Sequence, residues 1–105
     1  MTKTLGEIQQ ELSKLLRNQK KEHPFVHLAA FMEESSELSQ DLSSRLADKK
    51  LSTQEEWTQT EERVGDVLVS LAALTNHLGI DLETAYEKSL RKVRAQYHSE
   101  WTLKD

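Results

Sequence analysis

The segment FMEESSELSQDL brings Glu33, Glu34, Glu37 and Asp41 close together in the chain. A helix turns about 100° per residue. With Glu34 as origin, Glu37 lies about 60° round the axis and Asp41 about 20°, so the three share a face. That face borders the apolar stripe of the same segment rather than opposing it, which points the carboxylates towards the seam between helices. Like charges at these spacings repel, and a cation between them offsets the repulsion. Hard oxygen ligands suit Mg²⁺, which keeps several waters and takes a few carboxylates plus substrate phosphates. The same residues would also serve as a solvated acidic face, or as ion pairs such as Asp41 with Arg45.

A second acidic pair follows in EERVGDVLVSLAAL, where Asp66 sits beside Gly65 inside an otherwise apolar run. An aspartate there is costly unless it is paired or bound to metal. Glu62 lies one turn earlier, about 40° round the helix from Asp66. Two helices, each with carboxylates beside the apolar stripe, can face each other across one cation.

Four segments of helical periodicity must position these groups. Thr4 with Glu7 has capping-box spacing and opens the first, whose stripe is Leu5, Ile8, Leu12 and Leu15 or Leu16. It ends before Pro24, because the residue preceding a proline avoids helical angles. The second runs from about Phe25 to Ala47, with Leu28, Phe31, Leu38, Leu42 and Leu46 as its stripe. Ser52 with Glu55 repeats the capping spacing ahead of a third helix carrying Trp57, Val64, Leu68, Leu71, Leu74 and Leu78, with Gly79 as its stop. Asp81 is the N-cap of a fourth, striped by Leu82, Ala85 or Tyr86, Leu90, Val93 and Tyr97. The tail HSEWTLKD either prolongs this helix or packs Trp101 on a neighbour. No segment alternates as a strand does. The expected fold is all-α, an antiparallel helical bundle of about four helices in a single domain over residues 1–105.

The bulk numbers agree. Three glycines and one proline leave few breaks in 105 residues. Only 36% of the chain is hydrophobic and 30% is charged. So small a domain buries a modest share of its surface, and this composition predicts subunits that share a core. The formal charge of -4 argues against a nucleic-acid polymer as partner, which calls for a basic face. A phosphate-bearing small ligand needs only a few local cations. The chain has no cysteine, which rules out disulfides and thiolate metal sites. No apolar run approaches the roughly 18 residues of a membrane span, and the first residues lack the apolar core of a signal peptide. The expectation is a cytoplasmic protein with no membrane partner.

From Phe25 to Tyr97 the chain resembles the MazG family of all-α nucleoside triphosphate pyrophosphohydrolases. That family's pattern is EExxE, a spacer, ExxD in a context such as EELGDVL, an apolar helix, GIDL, and a last helix with basic and aromatic residues. Here EESSE is Glu33 to Glu37, ERVGDVL is Glu62 to Leu68, and GIDLETAYEKSLRKVRAQY is Gly79 to Tyr97. The resemblance implies Mg²⁺, with Mn²⁺ as an alternative, held by Glu34, Glu37 and Asp66. It implies hydrolysis of a nucleoside or deoxynucleoside triphosphate to the monophosphate and pyrophosphate, for house-cleaning or pool control. It also implies a homodimer or homotetramer with sites near subunit contacts.

The sequence departs from the family at three positions. Arg63 stands where the family has the glutamate of ExxD, and Glu62 is the candidate to replace that ligand. Ser89 and Val93 stand where the family usually has lysine and asparagine. Lys92 and Tyr97 match, and Lys88 or Arg91 would replace the lost lysine in offsetting polyphosphate charge. Glu33, Glu34 or Glu37 would orient or deprotonate the attacking water. Arg63 is read either as a phosphate clamp or as an ion pair with Glu37 or Asp66 in place of a metal. His27, about 20° from Glu34 but two turns away, is either a contact to base or sugar or an ordinary interface or surface histidine. His77 shares the face of Asp66, but some 16 Å along the axis is too far to share its cation. Trp57, Phe25 and Phe31 serve as core or as stacking surface. The rival to the enzyme is a catalytically impaired relative that binds a nucleotide or a protein.

Overall fold

The computed structural model describes residues 2–19, 21–47 and 53–104, with 19 and 98–104 described by their backbone alone. Among the described residues there are four α-helices and no strand: α1 (Leu5–Leu15), α2 (Pro24–Ala47), α3 (Gln54–Leu78) and α4 (Leu82–Lys104). A 3₁₀ turn, Arg17–Gln19, follows α1.

The helix boundaries follow from local chemistry. At α1 the Thr4 hydroxyl accepts from the Glu7 amide at 3.1 Å, and the Glu7 carboxylate accepts from the Thr4 amide at 3.2 Å. Pro24 itself opens α2, a position where its missing N–H is no loss. The box before α3 is one residue later than the spacing of Ser52 and Glu55 predicted. Thr53 is the cap, accepting from the Glu56 amide at 3.1 Å while Glu56 accepts from the Thr53 amide at 3.2 Å. Residues 48–52, including Ser52, lie outside the described residues. Gly79 ends α3 at φ 71, a left-handed angle that favours glycine. Asp81 caps α4, accepting from the Glu83 amide at 3.2 Å and the Thr84 hydroxyl at 2.9 Å. The backbone of the tail continues α4 to Lys104, while the Trp101 side chain falls outside the described residues.

Helices α2 and α3 form an antiparallel pair. Arg45 meets Glu56 at one end of their seam and His27 meets His77 at the other. Helix α1 lies against α3 and is pinned there by Gln9, a buried amide at the α3–α4 corner. Its nitrogen donates to the Ile80 carbonyl at 2.9 Å and the Thr75 hydroxyl at 3.2 Å. Its oxygen accepts from the Leu82 amide at 2.9 Å. The Gly6 amide donates to Glu83 at 2.9 Å.

Helix α4 packs chiefly on α1. Leu82 is buried, Ala85 and Leu90 are half-buried, and the other described side chains of α4 are exposed. Among the described residues Ala72 and Leu82 are the buried hydrophobics, whereas Leu46 is 83% and Phe25 70% exposed. The radius of gyration is 17.3 Å, against about 13 Å for a compact chain of this length. The apolar stripes thus form, but one copy of the chain leaves much of them uncovered. Among the described residues no helix is long and apolar enough to cross a membrane.

Candidate functional site

The seam between α2 and α3 carries the acidic centre. Its antiparallel register sets Glu33, Glu34 and Glu37 opposite the stretch of α3 that holds Arg63 and Asp66. Glu34 is half-buried. Desolvation pushes its carboxyl above the usual glutamate range, and the charges of Glu37, Asp66 and Glu33 push it further the same way. The Arg63 guanidinium acts in the opposite sense. Acids from both helices therefore act on one carboxyl. Glu62 is exposed and is not among the charges that act on Glu34.

The donors fit a hard divalent cation in kind: they are carboxylates only, and their charges repel. They are not drawn to one point. Among the described residues no group of three or more acids and histidines stands close enough together to hold a metal ion. Glu34, Glu37 and Asp66 share a field without sharing a ligation sphere.

Asp41 is engaged elsewhere. Its Oδ2 accepts from the Thr60 hydroxyl at 2.6 Å, and its Oδ1 lies 3.3 Å from Arg45 Nη2. The ion pair with Arg45 that the spacing allowed is thus present. Arg45 bridges on to Glu56. The carboxyl of Glu56 is held below its usual range by the backbone and hydroxyl hydrogen bonds of Thr53, with a further contribution from Arg45. Arg63 joins this network with its Nε 4.0 Å from Asp41 Oδ2. The ion-pair partners foreseen for Arg63 were Glu37 and Asp66, and the structure gives it Asp41 instead.

Lys88, Arg91, Lys92 and Tyr97 are all exposed on α4, and none is among the charges that act on Glu34. His27 is not a surface histidine: it is only 7% exposed, and its Nε2 is buried without a hydrogen-bond partner. Its ring lies 4.9 Å from that of His77, tilted by 38°. The two border a cavity of about 370 Å³ walled by Leu12, Leu16 and Ala73, with Ser13 and Asn76. Sequence reasoning missed Asn76, Ser13 and Gln9. Asn76 is adjacent to His77, but nothing in helical spacing showed that α1 would close over both. No protein-family model, curated protein or solved structure matches this chain.

Proposed function

We propose that this protein is a Mg²⁺-dependent nucleoside triphosphate pyrophosphohydrolase that works as a homo-oligomer in the cytoplasm. The observation that carries the reading is the electrostatic state of Glu34, a half-buried carboxyl pressed by Glu37, Asp66 and Glu33 from two helices. Such a concentration of like charge is a cost to the fold that bound positive charge would relieve. The MazG-like order of EESSE, GDVL and GIDL supports the same assignment.

In this reading Glu34, Glu37 and Asp66 would hold the cation. Bound there, Mg²⁺ or Mn²⁺ supplies positive charge for the polyphosphate and for activating water. Phosphoryl transfer depends mainly on positioning and electrostatics. Glu33 is the carboxylate left to orient the water that attacks phosphorus, with the nucleoside monophosphate and pyrophosphate as products. Arg63, half-buried between Asp41 and Glu34, would swing to a phosphate oxygen.

The scarcity of buried hydrophobics supports the oligomer, because the exposed stripes need covering. The exposed Lys88, Arg91 and Lys92 of α4 suit delivery of cations to the acidic centre of a second copy. A second reading, a non-catalytic relative that binds a nucleotide or protein, is favoured by the pairing of Arg63 with Asp41 and by the ungathered carboxylates. Pyrophosphate release from a panel of nucleoside triphosphates, with and without Mg²⁺, separates the two. The enzyme releases pyrophosphate only with the cation, and Glu34→Ala abolishes release. Silence across the panel from a folded, oligomeric protein selects the second reading.

A further inference from the structure

Two helices carry uncovered apolar stripes with the same spacing. On α3, Trp57, Val64 and Leu68 are exposed, and on α4, Tyr86, Val93 and Tyr97 are exposed. Each set steps by seven residues and then by four. Each therefore lies within about 40° on one side of its helix and runs about 16 Å along it. Ridges with one repeat on two helices can interlock along their length.

A single chain does not bring the stripes together. Helix α1 has 11 residues against 25 in α3, and it covers the C-terminal part of the α3 face, where Gln9 bonds Thr75. Trp57, Val64 and Leu68 continue that face towards the N-terminus of α3. Helix α4 packs chiefly on α1 in its own chain. Contiguous apolar faces of this kind mark interaction surfaces. Six side chains about half exposed, counted in both contacts of a two-fold pair, amount to on the order of 1,000 Å², the scale of a specific interface.

Charge sets the direction. Glu61 lies about 60° round α3 from Val64, and Arg94 lies about 100° round α4 from Val93 in the same sense. Antiparallel packing brings flanks of the same sense to the same side of a contact, whereas parallel packing puts them on opposite sides. The antiparallel register that sets Trp57 by Tyr97 and Leu68 by Tyr86 also sets Glu61 level with Val93, one residue from Arg94. Both charges are exposed, and neither has an ion-pair partner among the described residues.

We propose that two copies pair by reciprocal exchange of α4. The stripe of each α4 lies antiparallel on the Trp57, Val64 and Leu68 face of the other copy, and Arg94 meets Glu61 across the contact. The proposal names the interface of the homo-oligomer in the reading above, and rests on that self-association rather than on hydrolysis. Lys92, about 100° round α4 from Val93 in the other sense, comes out on the side of α3 that carries Arg63. The contact thus leaves Lys92 turned towards the α2–α3 seam.

Sedimentation of the full chain, with helix content followed by circular dichroism, tests it. We expect the parent to associate with a dissociation constant in the micromolar range or tighter. Val64→Asp should leave a monomer of unchanged helix content. Glu61→Arg and Arg94→Glu should each weaken association by about fivefold or more, and the two together should restore it to within about twofold of the parent. A monomeric parent, association indifferent to both charge reversals, or a double variant no tighter than the single ones overturns the proposal. A protein that pairs in this way yet releases no pyrophosphate loses the enzymatic reading alone. One that releases pyrophosphate as a monomer, or as an oligomer blind to these variants, loses this interface and keeps the chemistry.

Discussion

The Nε of Arg63 lies 4.0 Å from Asp41 Oδ2, drawn into the network of Arg45, Thr60 and Glu56. From there the same guanidinium still acts on Glu34, opposing the repulsion of its acidic neighbours. One residue thus links the structural half of the α2–α3 seam to the chemical half.

Replacing this cation with an acid should favour a metal. Arg63→Glu restores the residue type of ExxD and removes positive charge beside Glu34. We expect Mg²⁺ affinity to rise about fivefold, equivalent to roughly 1 kcal/mol. Calorimetry on the folded variant reads this directly. Unchanged or weaker affinity would mean that position 63 does not face the cation.

The two shifted carboxyls predict opposite pH responses in the absence of divalent ions. The folded pKa of Glu34 is above its unfolded value, so its ionised form costs stability above the folded pKa and nothing below the unfolded one. Glu34→Gln should therefore raise the urea midpoint at pH 7 and leave it unchanged near pH 3.5. The folded pKa of Glu56 is lowered, so its contribution is present at neutral pH and is lost as pH falls through that lowered value. Glu56→Gln should lower the midpoint at pH 7 and have little effect in acid. The same sign for both variants at pH 7 would contradict the electrostatics described above.

Gln9 makes three hydrogen bonds from a buried position, joining α1 to the corner between α3 and α4. Gln9→Leu leaves the Leu82 amide and the Ile80 carbonyl without that partner. The expected loss is about 2–3 kcal/mol in urea denaturation. A loss under about 0.5 kcal/mol would mean that water replaces the amide without penalty.

Arg45 is 15% exposed and serves Asp41 and Glu56 together. Arg45→Met keeps the aliphatic stem and removes both ion pairs, so Asp41, itself 11% exposed, keeps Thr60 and the longer contact to Arg63. We expect about 1–3 kcal/mol of destabilisation with no change in helix content by circular dichroism. Stability equal to the parent would show that hydrophobic packing replaces the network fully.

Gly65 is within α3, and a Cβ built there meets nothing within 4 Å. A glycine in mid-helix costs about 0.5–1 kcal/mol relative to alanine. Gly65→Ala should therefore stabilise the single chain by that amount. Sedimentation of the same variant shows whether another copy approaches at this point: weaker self-association would place a partner's surface against Gly65.

Much of this fold can be read from short-range signals. Thr4 with Glu7, Gly79 and Asp81 each act within a turn of themselves, so spacing alone identified them. The cap of α3 went to Thr53 because TQEE and STQE offer overlapping frames of the same box, and spacing does not rank them. Spacing placed Glu34, Glu37 and Asp66 beside apolar stripes, but it did not show that their side chains stand apart rather than gathered at one point. What was not legible depends on how helices slide and cross. Asp41 as the partner of Arg63, the contact between His27 and His77, and the reach of Gln9 to Ile80 all need a register between elements far apart in sequence. The burial of His27 had no local signal, since its cover comes from α1 and α3.

The attachment of α4 has a mechanical consequence. A rod of 23 residues is about 34 Å long, and it is gripped near its root by Gln9, Gly6 and the buried Leu82. Pivoting there by about 10° would carry the far tip some 6 Å, on the order of one helical pitch. Lys88, Arg91 and Lys92 lie about 9–15 Å from the root, so the same pivot moves them by about 2–3 Å, and the geometry of a few polar contacts sets where those positive charges sit.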